Sequence, residues 1–470
     1  ETEVVKRFRE VISIEELKEW YQKLLDEYHK WLSYQKKWKE ERNHSLQSLE
    51  FPFSYREGQR KMVSSVYHAI GASRQIFIQA PTGVGKTMST IFPAVRAVGE
   101  GKGETIFYLT AKTITRTVAQ EGFEVLREKG MKYKVVTITA KEKLCFMDET
   151  KCDPVHCPYA RGHFDRVNDA VYELWTTKSR YDRETIREQA EKWQVCPFEM
   201  CLDLSVWVDA VICDYNYVFD PTVHLKRFFG EGAGGDYIFL IDEAHNLAER
   251  GREMYSASIC REDAVRVRKV MKERAPRLYR SLGKLDKQLK ELQVDCGNYL
   301  VLPGTGSIIM TILKVQGEFD AFLEAHKDVE LEDEAIKFYF DIRNFLNMAE
   351  LIDENYVVYA ENGEDGLFRL KLFCVNPAVN LGEYLKKGRS AVFFSATLLP
   401  MNYYRKLLSN RQDDYGIYVE SPFSQKNRCI LNAGDVSSLY SRRGYEEYHK
   451  IAEYICLLYT SPSPRDRSVS

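Results

Sequence analysis

The stretch "QAPTGVGKT", Gln79 to Thr87, decides how the rest of the chain is read. It follows the short apolar run "QIFI" and leads into "MSTIFPAVRAV", whose apolar residues recur at helical spacing. A glycine-rich turn between a strand and a helix lets backbone N–H groups converge on phosphate oxygens at the helix N-terminus. Gly83 and Gly85 allow that approach, Lys86 is placed to reach the β- and γ-phosphates of a nucleotide, and Thr87 to offer its hydroxyl to Mg2+. The strict pattern begins with Gly where this chain has Ala80, so the strand-to-helix context carries the reading together with the string. Pro93 lies two turns into the following helix and is expected to kink it.

Outward from this loop, short β-rich runs alternate with helical stretches: "QIFIQA", "TIFYLTA", "KVVTITA", "AVICDY", "YIFLIDEA" and "AVFFSAT". The alternation predicts an α/β fold, a mostly parallel sheet with helices on both faces. The run "YIFLIDEAH", Tyr237 to His245, reads as a buried strand with Asp242 and Glu243 emerging at its end. An acid there can hold Mg2+ through water while its neighbour activates the attacking water. Asp242 is assigned the first role and Glu243 the second, with His245 counted in the same catalytic group as Lys86. Loop and acids together predict a nucleoside triphosphate hydrolase.

The 470 residues are 44% hydrophobic and 29% charged, enough for two or three globular domains. No run approaches the roughly 18 apolar residues of a membrane span, and no basic-then-apolar signal opens the chain, so a cytoplasmic protein without a membrane partner is expected. The first residue is Glu1, which reads as a processed or excised piece. A net charge of −2 leaves any nucleic-acid binding to local patches. Residues 14 to 40 carry Leu17, Trp20, Leu24, Tyr28, Trp31 and Trp38 at helical spacing, a long amphipathic helix whose aromatic stripe is expected to pack. The eleven cysteines are odd in number and lie in a chain far larger than disulfide-framed domains. Six of them, Cys145, Cys152, Cys157, Cys196, Cys201 and Cys213, crowd together and ask for a local cause.

These segments resemble superfamily 2 helicases, and within them the iron–sulfur branch typified by XPD and DinG, over roughly residues 50 to 435. "FPFSYREGQRKMV" is similar to the segment in which a Gln, here Gln59, reads the adenine of ATP. "APTGVGKT" and "DEAH" match the branch's nucleotide motifs, including the Ala at the first position. "YLTAKTI" resembles the motif that touches phosphates of a single strand, with Thr110 and Lys112 as candidates. "FFSATL" resembles the motif whose Ser395, Ala396 and Thr397 link hydrolysis to strand movement. The resemblance implies a P-loop, RecA-like parallel sheet with an inserted iron–sulfur domain and an inserted helical arch. It further implies ATP-driven unwinding of DNA from the 5′ side, in repair or replication, with single-stranded and forked DNA as partners. The oligomeric state is not legible.

By position in that branch, Cys145, Cys152, Cys157 and Cys196 are the implied ligands of a [4Fe–4S] cluster, spaced C-x6-C-x4-C-x38-C. Four thiolates can hold such a cluster or tetrahedral Zn2+, and zinc sites usually use tight C-x2-4-C pairs, of which the chain has none with two intervening residues. Cys201 stays a rival for the fourth place, and Cys213 reads as packed in the sheet. The cluster is expected to staple a wedge where a duplex splits, with Phe146, Tyr159 and Phe164 near enough to stack on bases.

The expected division is a helical segment over 1–50, an ATP-binding lobe over 51–142, 205–250 and 386–400, an iron–sulfur domain over 143–204 and a largely helical arch over 251–385. The arch is basic from Arg261 to Lys290 and acidic from Gly317 to Ala335. Residues 401–455 are expected to begin a second lobe that is cut short, and 456–470 to be a disordered or non-native tail. An arginine finger of that lobe cannot be placed, so the piece is expected to bind ATP yet turn it over poorly. The alternative to a motor is a nucleotide-gated clamp on single strands, or a nuclease accessory.

Overall fold

The six apolar runs become adjacent strands because each is short, rich in β-branched and aromatic residues, and apolar on both faces. In the computed structural model, which describes residues 11–326, 333–411, 413–421, 426 and 432–460, they are β1 (Gln75–Gln79), β2 (Thr105–Leu109), β3 (Val135–Thr137), β5 (Ala210–Cys213), β6 (Tyr237–Asp242) and β11 (Ser390–Ser395). Two further strands flank them, β4 (Arg180–Tyr181) and β12 (Tyr415–Tyr418), giving the order β12-β1-β11-β6-β2-β5-β3-β4. Every neighbouring pair in this sheet is parallel.

The alternation of side chains along each strand divides the core into two layers. Ile76, Ile78, Ile106, Tyr108, Ile238, Leu240, Val392 and Phe394 face one, which the helices Gln59–Gly71, Lys86–Gly99 and Thr113–Glu128 cover. Phe77, Phe107, Leu109, Phe239, Ile241 and Phe393 face the other, where Phe77 and Phe393 stack with ring centroids 4.4 Å apart. The helix Lys86–Gly99 runs as one element through Pro93.

Between β6 and β11 the chain forms the expected helices, Arg261–Val270, Pro276–Asp295, Ile308–Ala325 and Asp333–Ala349. It also forms an antiparallel sheet that the helical expectation omits: β7 (Ala257–Cys260), β8 (Tyr299–Leu302), β9 (Tyr356–Asn362) and β10 (Phe368–Cys374), in the order β7-β10-β9-β8. Burial alternates along β9 and β10, so one face packs and the other is wet. Part of the acidic stretch, 327–332, lies outside the described residues.

The N-terminal helix Ile14–Gln47 starts at a capping box, Ser13 Oγ accepting from Glu16 N at 3.2 Å while Ser13 N donates to Glu16 Oε2 at 2.8 Å. Its second half docks on the sheet domain. Trp31 lies 4.5 Å from Trp207 and 5.6 Å from Trp175 between ring centroids. Arg42 Nη1 meets Asp209 Oδ1 at 2.7 Å with both side chains about 5% exposed, and Trp38 Nε1 and Lys134 N donate to Asp209 Oδ2 at 3.0 and 2.8 Å. The first half does not follow the packing expectation: Leu17, Trp20, Leu24 and Tyr28 stand exposed.

The chain divides into two compact units, Glu1–Ser421 and Pro422–Ser470. Residues 401–421 belong to the first, since β12 adds to the edge of β1, whereas the sequence placed a new lobe from 401. In the second unit the helix Tyr445–Thr460 covers the first residues of the expected tail, and Tyr454 Oη donates to Asp435 Oδ1 at 2.6 Å. The tail's remainder, 461–470, lies outside the described residues. Among the described residues no helix is long and apolar enough to cross a membrane.

Removing one partner of a buried ion pair strands the other charge, typically at about 3–5 kcal/mol. Arg42→Ala should therefore lower the urea midpoint strongly, while Lys39→Ala, in an exposed pair with Glu104 at 2.9 Å, should cost under about 1 kcal/mol.

Candidate functional site

Parallel strands with matched register end together, and here β1, β11, β6 and β2 deliver four loops to one edge. Gln79 is level with Ser395, Phe394 with Asp242, and Ile241 with Leu109. Two bonds extend the ladder past the strand ends: Ala80 N donates to Ser395 O at 3.0 Å, and Ala244 N to Phe394 O at 3.2 Å.

In the glycine loop, Gly83 (φ +84°) and Gly85 (φ +79°) adopt left-handed backbone that side chains disfavour. A Cβ on Gly85 would lie 2.8 Å from Gln59 Nε2. The helix begins at Lys86, leaving the amides of its first turn for a ligand. Gln59, the expected reader of the adenine, lies against the glycine loop. It is buried, its Nε2 donates to Val84 O at 3.1 Å, and its Oε1 accepts from Arg56 N at 3.0 Å. Both ends of its amide thus brace the loop, and Arg56 also donates to Gly83 O.

Asp242 is buried at the tip of β6, and burial pushes its carboxyl up to about 6, with the nearby Glu243 charge adding to the rise. Three contacts oppose this: a 2.8 Å bond from Tyr108 Oη to Oδ2, a 2.8 Å bond from Glu243 N to Oδ1, and the Lys86 charge. Glu243 adopts φ +47°, and Tyr215 Oη holds this bend by donating to the carbonyls of Asp242 and Glu243.

Ser395 joins the two motifs. Its Oγ donates to Glu243 Oε2 at 2.9 Å, accepts from Thr397 N at 3.1 Å, and sits 2.7 Å from His245 Nδ1. A hydroxyl has one proton, so with that proton on Glu243 the pairing with His245 requires the imidazole proton on Nδ1. Burial lowers the His245 pKa, the Glu243 charge opposes that, and Lys112 reinforces it. Gln79 completes the joint, donating to Ala396 O at 2.8 Å and accepting from Leu398 N at 3.0 Å.

Thr110 does not present its hydroxyl as expected. It is fully buried because Thr110 N prolongs the ladder to Cys213 O at 3.1 Å, and the hydroxyl pairs with Thr115 Oγ1. Lys112 is exposed at the start of the helix Thr113–Glu128.

Of the cysteines, Cys201 and Cys213 are fully buried in the core, and burial alone pushes the Cys201 thiol up to about 12. Cys196 is half-buried at the cap of the helix Pro197–Ser205, and burial raises its thiol although the Glu199 and Phe198 amides oppose that rise. Cys152 is exposed, and the Lys141 pKa is raised chiefly by Cys152, with the Glu199 and Cys196 charges adding to the rise. Cys157 is buried and Cys145 half-buried. Among the described residues no three His, Cys, Asp or Glu side chains converge as a metal site, so the four implied ligands are not closed onto one point. The aromatic trio is also divided: Phe146 packs on Tyr159 at 4.6 Å under the Arg187 guanidinium, while Phe164 is 84% exposed. A separate cavity of about 1030 Å³ opens at the opposite edge of the sheet, lined by Gln75, Asp236, Arg389 and Arg411 among others.

Two family models match the chain: DEAD/DEAH box helicase over residues 56–156 and DEAD_2 over residues 125–264. The ATP-dependent DNA helicase XPD of Sulfolobus acidocaldarius is 20% identical over 415 residues, covering 86% of this chain and 70% of that protein. The Fanconi anemia group J protein homolog of Gallus gallus is 31% identical over 104 residues, 22% of this chain and 8% of that protein. A solved XPD helicase structure superposes with a TM-score of 0.51 at 17% identity, covering 86% of this chain and 70% of that one.

Histidine-selective 15N spectra should show His245 with its proton on Nδ1 at neutral pH. Glu243→Gln removes the charge that favours imidazolium, so the His245 midpoint should fall further; an unchanged or raised midpoint would contradict the contact.

Proposed function

The chain belongs to the XPD-like superfamily 2 helicases, a family of ATP-dependent DNA helicases, and on that premise we propose that it binds ATP with Mg2+ at the carboxyl edge of its parallel sheet and uses the turnover to move along DNA. The carrying observation is the direct bond between Ser395 and Glu243, which joins the water-activating acid to the loop expected to sense strand movement.

Lys86 sits at the start of its helix to meet the phosphates, with the left-handed Gly83 and Gly85 keeping side chains out of the way. Thr87 and Asp242 would hold Mg2+, which would draw charge off the phosphates. Glu243 orients and deprotonates the attacking water. Any movement of Glu243 is felt at Ser395, His245 and Thr397 through the bonds described above. Lys112, exposed beside this edge, is the residue of its motif available to a DNA phosphate.

The reading extends to a [4Fe–4S] cluster and to travel from the 5′ side. Cys145, Cys152, Cys157 and Cys196 would hold the cluster, which would cross-link the loop-rich backbone rather than exchange electrons. All four are cysteines, the donor type such a cluster takes, and Cys152 and Cys196 both contribute to the raised pKa of Lys141. The core position of Cys201 argues against it as the fourth ligand. Phe164 is the exposed ring positioned to stack on a base.

Titration with a fluorescent ATP analogue should show binding that strengthens with Mg2+, and Lys86→Ala should weaken it at least about tenfold. Because Asp242 takes up a proton near pH 6, the Mg2+-dependent part should fade as pH drops through that value. Persistence of the Mg2+ effect well below pH 5, or its survival in Asp242→Ala, would contradict the assignment.

Anaerobically purified protein should carry about four irons per chain with a visible charge-transfer band. Cys196→Ser should lose both and Cys201→Ser retain them; the reverse pattern would move the fourth ligand to Cys201.

A further inference from the structure

The basic stretch from Arg261 to Lys290 holds eleven Lys or Arg against four Asp or Glu, and the fold sorts these charges. Three of the acids are occupied close by. Asp286 meets Arg261 at 2.9 Å and Arg268 at 3.7 Å, Asp263 pairs with Arg266, and Glu262 Oε2 accepts from Phe368 N at 2.9 Å. The helix Pro276–Asp295 turns Leu278, Leu282, Leu285 and Leu289 to the core. Arg277, Arg280, Lys284 and Lys287, three and four residues apart, therefore form one row on the opposite face, and all four are exposed. At 1.5 Å of rise per residue the row is about 15 Å long. Lys287 has a neighbour of opposite charge, Glu291 Oε1 at 3.9 Å. Lys269, Lys272 and Arg274, just before the helix, are exposed as well.

Like charges at these spacings weaken a helix, so neither folding nor packing calls for such a row. The face of a protein partner's site carries aromatic or apolar anchors, and among the described residues of this helix Val294 is the only large apolar side chain that stands exposed. Single strands are held by rings that stack on bases, and Tyr279, the one aromatic residue of the helix, lies 4.7 Å from the Arg268 guanidinium that covers it. Duplex phosphates need only cations along a row. We propose that the outer face of the helix Pro276–Asp295, through Arg277, Arg280 and Lys284, binds the phosphate backbone of double-stranded DNA. This rests on the reading of the chain as acting on DNA, and adds to it a duplex contact different from the single-strand contact given to Lys112.

The test is the triple variant Arg277→Ala, Arg280→Ala and Lys284→Ala, read by fluorescence anisotropy with a blunt DNA duplex and with oligo-dT across a salt series. Each duplex phosphate neutralised adds about 0.9 to the slope of log affinity against log salt. The duplex slope should therefore become shallower by about 2 to 3, with low-salt affinity down at least about tenfold, while oligo-dT binding and the thermal midpoint hold. A charge-matched control, Lys18→Ala with Lys23→Ala and Lys36→Ala on the exposed N-terminal helix, should leave the duplex slope unchanged. An unchanged slope in the first variant, an equal loss on both DNAs, or an equal loss in the control would overturn the proposal. So would intact duplex binding with loss of binding to poly-glutamate, which would assign the face to an acidic protein. If the triple variant does not fold, Arg277→Gln with Lys284→Gln should make the duplex slope shallower by about 2, and no change would overturn the proposal. An unsubstituted chain that binds neither DNA would sink the DNA reading as well; normal oligo-dT binding with an indifferent triple variant would sink only this inference.

Discussion

The register of three parallel strands is the constraint on which the site depends. β1, β11 and β6 end within one residue of one another, and the bonds from Ala80 N to Ser395 O and from Ala244 N to Phe394 O carry that alignment past the strand ends. The glycine loop, the DEAH acids and the SAT segment come from positions far apart in sequence, yet they meet because each is the first loop past a strand end. Ligand crevices at the carboxyl edge of open α/β sheets follow from this geometry. A one-residue slip of β11 would turn Ser395 away from Glu243 and send its alternating core residues to the wrong layer.

Burial gives the edge its electrostatics. Asp242 sits in a setting that raises its proton affinity, so it is held as a carboxylate only by what surrounds it: the Tyr108 hydroxyl, the Glu243 amide and the Lys86 charge. Glu243 occupies left-handed backbone, a conformation that persists only where neighbours enforce it, and Tyr215 is one such neighbour. Tyr108 and Tyr215 therefore act on adjacent acids from two different strands' surroundings, one on a side chain and the other on the backbone.

Much of the central sheet was legible because its strands are uninterrupted apolar runs, and the glycine loop and DEAH segment were legible because their chemistry needs particular residues at particular spacing. The flanking strands were not: β4 has two residues, and β12 is a short, mostly exposed run whose place is decided by pairing with β1. The antiparallel sheet of the insertion hid behind charged helices, although "FRLKL" alternates apolar and basic residues. Tyr108 and Tyr215 read as core aromatics in sequence, since nothing local says that their hydroxyls reach Asp242 and Glu243. Thr110 erred in the other direction, a polar residue that looked available and is fully covered. Cys196, half-buried at a helix cap, and Cys201, fully covered in the core, also differ in a way that spacing does not show.

The most direct measurement is a crystal structure of the chain with a non-hydrolysable ATP analogue and Mn2+, located by its anomalous signal. The account predicts Mn2+ between the Thr87 hydroxyl and the Asp242 carboxylate, with phosphates against the amides that follow Gly85. A nucleotide bound at the opposite edge of the sheet, near Gln75 and Arg389, or a metal held away from both Thr87 and Asp242, would contradict it.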